Sequence, residues 1–266
     1  MSARELAFSK SKNCIFCGGL VEATTVDHYP PRAVFHDNRW PEGYVFPACA
    51  KCNSGSREAD NWAGFLSMID PNIDWPDTEL EKNVKRLISL DRANPGLIKE
   101  FFGSTSLEKK SMARRLKMDR EPGQTYIDLP LVKIPSVAHE WMDVFAPKIT
   151  KALHFEHTRC IPPSDVGVRY WWYTNANQME GRVPQIINND FGFPAVQRAN
   201  VDLSAQFNYR YQVSQDGEMG LFVICFRFAF MIISVITFDP SVTERVIRQA
   251  RAVVEEERAS AAAAAV

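Results

Sequence analysis

Two short runs of β-branched and aromatic residues, Thr24-Thr25-Val26-Asp27-His28 and Tyr44-Val45-Phe46, predict paired strands near the start of the chain. Between them Pro30, Pro31, Pro41 and Gly43 break any regular pattern and predict an irregular loop. From Ala50 or Cys52 to about Met68 the apolar spacing becomes helical, with Trp62, Phe65 and Leu66 on one face. Strand, strand and helix in that order form a ββα unit. Ahead of it, residues 1–13 are polar, carry Arg4, Lys10 and Lys12, and are read as a loose lead-in.

The turn-rich stretch Asp70-Pro71 to Asp77 is the expected domain boundary, dividing the chain into 1–70 and 78–266. Beyond it Leu80, Val84, Leu87 and Ile88 form the apolar stripe of a helix that Asn94-Pro95-Gly96 stops, and further helices are expected over 97–102 and 107–118. Runs at 126–129 and 131–134 look strand-like. Trp141, Val144, Phe145, Ile149 and Leu153 predict a long helix over 137–158, bent or divided at Pro147. The remainder favours sheet: strands are expected over 168–173, 207–211, 221–230 and 231–238, with Gln215-Asp216-Gly217 as a hairpin turn. A charged amphipathic helix over 242–258 and an alanine-rich tail end the sequence. The expected fold class is α+β, an N-terminal ββα unit followed by a mixed helical and antiparallel-sheet domain.

Composition changes this picture little. Of 266 residues 45% are hydrophobic and 24% charged, with a formal net charge of −1, so a nucleic-acid groove would have to be a local basic patch. The most apolar run, 220–238, is interrupted by Arg227 and reads as buried strands, so no membrane span is expected. No secretory signal is recognisable in residues 1–13, and a reducing, cytoplasmic location follows as an expectation.

Cysteine spacing adds chemistry. Four of the six cysteines form two Cys-x-x-C pairs, Cys14/Cys17 and Cys49/Cys52, the ligand pattern of a closed tetrahedral zinc site. Ordinary zinc ribbons separate such pairs by about 15–20 residues, whereas here the loop from Gly18 to Ala48 is longer and encloses Asp27, His28 and His36. Asn53 directly follows the last cysteine. An acid, an imidazole and an amide on one zinc-stapled frame are groups that would hold a hard divalent cation and set a base beside it.

Asp27-His28, the following Pro30-Pro31-Arg32-Ala33-Val34-Phe35, Cys52-Asn53, Ser56 and Asp60 together resemble the zinc-stapled HNH, or ββα-metal, endonuclease family over roughly the first quarter of the chain. The family's central Asn is replaced by Tyr44, and Asn38 is out of register with that position. The resemblance implies a metal-dependent endonuclease acting on DNA. Structural Zn2+ would be held by Cys14, Cys17, Cys49 and Cys52, and a catalytic Mg2+ or Mn2+ by Asp27 and Asn53. His28 would be the general base that activates water for in-line attack on the phosphodiester, while the cation stabilises the leaving oxygen. Arg32 and Lys51 are candidate phosphate contacts. The alternative is a catalytically inactive zinc module that binds nucleic acid or a protein partner, chemistry having gone with the central Asn.

Other residues carry blander expectations. His36 reads as a solvent-exposed loop histidine, and His154 and His157 have helical spacing but no evident third metal ligand. The Tyr170–Tyr173 run reads as sheet packing, and Cys160 and Cys225 as small apolar residues.

Overall fold

The two strands beside the proline-rich loop pair as an antiparallel ribbon: β1 (Thr25–His28) lies against β2 (Val45–Ala48), with Asp27 opposite Phe46 and His28 opposite Val45. Pro47 is tolerated in β2 because a two-stranded ribbon leaves one edge of each strand unpaired. The computed structural model describes residues 2–184, 191–239 and 241–242; the helix expected over 242–258 lies almost wholly outside them, as does the alanine tail.

Residues 1–13 are more ordered than expected. They contain α1 (Ala3–Lys10), opened by a capping box in which Ser2 accepts from the Glu5 amide and Glu5 from the Ser2 amide. Its last residue, Lys10, reaches Glu156 at 2.6 Å. The helix predicted from 50 to 68 is two: α2 (Ala50–Ser54) and α3 (Arg57–Leu66). The break falls at Gly55 and Ser56, where a weak helix former meets a hydroxyl engaged in tertiary bonds. Trp62, Phe65 and Leu66 are buried as their spacing predicts. Gly64 permits the close approach of α3 to the loop, since an added Cβ would lie 2.6 Å from the Ala33 Cβ.

Three helices follow, α4 (Asp77–Ala93), α5 (Leu97–Phe102) and α6 (Ser106–Arg115). The strand-like runs at 126–134 form no strand. Thr125 and Asp128 cap each other's backbone across a 3-10 turn, Tyr126–Asp128, and Leu129 and Leu131 pack on Ala113 and Leu116 of the α6 region. The long helix, α7 (Val137–Thr158), runs through Pro147 as one element with Phe145, Ile149 and Leu153 buried, although Val144 is exposed.

After α7 come β3 (Gly167–Thr174), the short α8 (Asn175–Met179), a small hairpin of β4 (Gln197–Arg198) and β5 (Val201–Asp202), then β6 (Asn208–Val213), β7 (Met219–Phe226) and β8 (Phe230–Thr237). The main sheet is antiparallel in the order β3-β8-β7-β6. Gly217, at φ 73, serves the predicted turn between β6 and β7. The turn joining β7 to β8 lies at 227–229 rather than at 230/231. There Arg227 has a left-handed φ of 51, and the Phe228 amide bonds to Asp70 Oδ2 at 2.9 Å. β8 is buried along its whole length, with α7 across one face. The Tyr170–Tyr173 run occupies edge strand β3: Tyr170 and Trp172 pack on the core and Trp171 is exposed.

A single cluster of buried side chains includes Tyr29 and Phe46 from the ribbon, Trp62 from α3, Phe145 and Phe155 from α7 and Phe226 and Ile232 from the sheet. Residues on both sides of the 70–77 joint therefore contribute to one core. Among the described residues no helix is long and apolar enough to cross a membrane.

Candidate zinc centre and the two faces of the ribbon

Each Cys-x-x-C pair closes a tight turn. Gly19 N–H donates to Cys14 O at 2.9 Å, and the Cys49 sulfur caps α2 by accepting from Cys52 N–H. Gly18, at φ 74, seats the first knuckle against Ser164, whose backbone nitrogen would lie 2.4 Å from any Cβ placed there. One ligand atom from each of Cys14, Cys17, Cys49 and Cys52 falls within 4.8 Å of the others. Four sulfurs so gathered fit a closed Zn2+ site. Such a site carries net negative charge, and half-buried Lys151 lies close enough to Cys52, Cys17 and Cys14 that their charge opposes the lowering of its pKa by burial.

Successive residues of a strand point to opposite sides, so β1 sends Asp27 and His28 into different surroundings. Asp27 is buried and its Oδ2 lies 2.6 Å from Lys148 Nζ of α7. Lys148 also donates to Cys52 O at 2.8 Å and Ser56 Oγ at 2.6 Å, and sits over the rings of Phe16 and Tyr29. Its aligned hydrogen bonds go to those oxygens, so its hold on Asp27 is chiefly electrostatic. A second carboxylate completes the network: Asp60 accepts from Ser56 Oγ at 2.7 Å and from Tyr29 OH at 2.5 Å. Burial raises the pKa of both acids, that of Asp60 to about 6, and the Lys148 charge opposes this in each. Ser56 and Asp60 thus act here as Lys148's seat.

Asn53, on α2, donates its amide to Thr25 Oγ1 at 3.2 Å and to Val26 O at 3.3 Å, tying the helix to β1. These bonds use the Asn53 amide nitrogen and not its oxygen, whereas a divalent cation bound at Asp27 Oδ2 would have to displace the Lys148 ammonium.

On the other face, half-buried His28 has its Nε2 2.7 Å from Arg32 Nη2. Guanidinium only donates, so Nε2 accepts and the ring proton is on Nδ1. Burial, then the charges of Arg32 and Arg198, lower the His28 pKa to about 4 and keep the ring neutral near pH 7. Trp40 meets His28 edge-on at 5.0 Å, and the Arg32 and Arg198 guanidinium carbons lie 3.8 and 4.2 Å from the Trp40 ring centre. Among the described residues neither arginine pairs with a carboxylate.

Lys51 is exposed on α2. His36 lies 3.1 Å from Asp37 and within a possible ligand cluster with Glu79, but Lys82 already pairs with both acids. Tyr44, at the position of the family's central Asn, is buried with its hydroxyl 2.9 Å from that of Tyr209, which in turn contacts His157 Nε2 at 2.8 Å. His154 is buried, and Cys160 and Cys225 are free thiols. Lys148 and Arg198 are the two residues that local sequence reading overlooked. One sits within a helix otherwise read by its apolar stripe, and the other on the two-residue strand β4, in a stretch with no motif. No known protein family, curated protein or solved structure matches this chain.

Proposed function

We propose that the chain is a zinc-stapled module that binds nucleic acid at the His28 face of the ribbon without hydrolysing it. The observation that carries this reading is the Lys148 ammonium 2.6 Å from Asp27. It supplies from within the protein the positive charge that the nuclease resemblance assigns to Mg2+ or Mn2+. Zn2+ at the four cysteines contributes folding free energy and holds the Cys14–Cys17 knuckle to the start of α2. Phosphates would meet Arg32 and Arg198, with Lys51 as an exposed outer contact.

Hydrolysis of DNA phosphodiesters is the second reading, favoured by His28 itself. Its ring is neutral at pH 7, and recruitment of Arg32 to a phosphate would release Nε2 to accept a proton from water. In that reading Asp27 and Asn53 take up a divalent cation after Lys148 withdraws.

Zinc-loaded protein, wild type and His28→Ala, is incubated with supercoiled and linear DNA in Mg2+ or Mn2+, while binding of the same DNA is followed in parallel. The expected result is a duplex left intact by both proteins, retarded by wild type and more weakly by His28→Ala. Nicking by wild type that disappears in His28→Ala establishes the second reading, and absence of binding at low salt defeats both.

A further inference from the structure

We infer that Arg32, Arg198 and His28, gathered around Trp40, form a clamp for one backbone phosphate of a polynucleotide. The inference rests on the nucleic-acid reading above and adds to it a subsite and a residue, Arg198, contributed from far along the chain.

Among the described residues two like charges are held together here with no carboxylate in salt-bridge contact with either. Both guanidiniums lie over one indole, 3.8 and 4.2 Å from its centre. Burial, then the nearby Arg198 charge, lower the Arg32 pKa. Such repulsion is relieved by an anion between or beside the two cations, and a phosphodiester brings one negative charge with two unesterified oxygens to share.

The second cation is fixed in position before any ligand arrives. Arg198 lies on β4, whose hairpin is tied to the ribbon loop: Glu42 N–H donates to Gln197 O at 2.9 Å, and Ala199 N–H to Glu42 Oε1 at 3.2 Å. Arg198 Nη1 donates to Trp40 O at 3.2 Å. The nearby Glu42 carboxylate accepts from the Ala199 backbone amide and forms no salt bridge with Arg198. Stacking on the indole orients a guanidinium while leaving most of its five N–H donors unspent, and that planar fork matches phosphate oxygens. Arg32 spends one contact on His28 and Arg198 one on Trp40. The His28 Nδ1–H is a further donor on the same face. None of these groups reads a base edge, so the clamp would not select sequence.

The test uses full-length, zinc-loaded protein. Anisotropy of labelled DNA and RNA oligonucleotides is measured between 50 and 200 mM salt (roughly the range over which phosphate contacts dominate) for wild type, Arg32→Gln, Arg198→Gln and Arg198→Lys. Inorganic phosphate is titrated separately while the arginine Nε–Hε NMR signals are followed. Each Gln variant, with its melting temperature checked against wild type, is expected to bind about tenfold more weakly. It should also lower the salt slope by about 1, with Arg198→Lys restoring the slope. Unchanged affinity and slope in Arg198→Gln overturn the clamp, and leave the nucleic-acid reading standing if wild type binds. Phosphate that shifts the Arg32 and Arg198 signals, in a protein that binds no oligonucleotide, overturns both the polynucleotide clamp and the nucleic-acid reading, leaving a site for a free anion only.

Discussion

Stripping zinc is expected to unfold the ribbon and its two knuckles, and with them the proposed nucleic-acid site, the largest effect expected in this protein. Structural zinc sites contribute on the order of 10 kcal/mol in small zinc-folded peptides, comparable to the whole stability of an ordinary domain. The ribbon itself is only two strands of four residues, too few to persist alone. Its buried residues Tyr29 and Phe46 belong to the same cluster as Phe145 and Phe155 of α7, so disorder in the knuckles should spread into the common core. Metal analysis should return one zinc per chain. Cys49→Ser with Cys52→Ser, or chelation of wild type, should lower the melting temperature sharply and collapse the near-ultraviolet dichroism. Variants that melt with wild type and still bind DNA would show that the four sulfurs hold nothing the fold needs.

The second large effect is expected at Lys148. Removing one partner of a buried ion pair leaves an uncompensated charge and costs about 3–5 kcal/mol. Here a single ammonium faces one buried carboxylate, Asp27, and a half-buried one, Asp60, with Asp27 side-chain exposure of only 9% and Lys148 of 8%. Lys148→Met should therefore destabilise the protein strongly at neutral pH. The sign of the pH dependence follows from the acids. Asp60 already titrates at about 6 in the folded protein and Asp27 is also raised, against about 3.9 for an unfolded aspartate. Without Lys148 both move higher. A raised acid contributes stability that is complete below the unfolded pKa and is lost as pH rises through the folded pKa. The deficit of Lys148→Met should accordingly be smallest near pH 4, grow as pH rises through about 6, where wild-type Asp60 has ionised, and reach its full size only above the variant's own higher pKa values. Adding Asp27→Asn should recover part of the loss, because the charge left behind is then gone. Denaturant unfolding across that pH range measures all three proteins, and a deficit that does not vary with pH would mean that Lys148 acts through packing alone.

How much of this was readable in advance depended on how local the signal is. The knuckles announce themselves because the two residues between paired cysteines are dictated by one metal's geometry. β1, β2 and the central strands declare themselves through β-branched content, and the Gly217 turn through the left-handed backbone it requires. The capping box of Ser2 and Glu5 is visible too, but the polar stretch around it hid α1. Thr125 and Asp128 turned a strand-like run into a 3-10 turn, since side-chain oxygens competing for backbone amides outweigh β propensity over four residues. Lys148 and Arg198 could not be assigned from neighbours in sequence. Their partners, Asp27 and Trp40, lie more than a hundred residues away, and only the packing of α7 and the β4–β5 hairpin onto the ribbon brings them there.

The central claim is that an internal ammonium occupies the carboxylate which a nuclease of this pattern would give to a metal ion. Crystals of the zinc-loaded protein soaked in Mn2+, with anomalous diffraction recorded at the manganese and zinc edges, test it most directly. A zinc peak is expected among the four sulfurs and no manganese peak within about 2.5 Å of Asp27, with Lys148 still in contact. A manganese ion bound by Asp27 and Asn53, with Lys148 turned away, would contradict it.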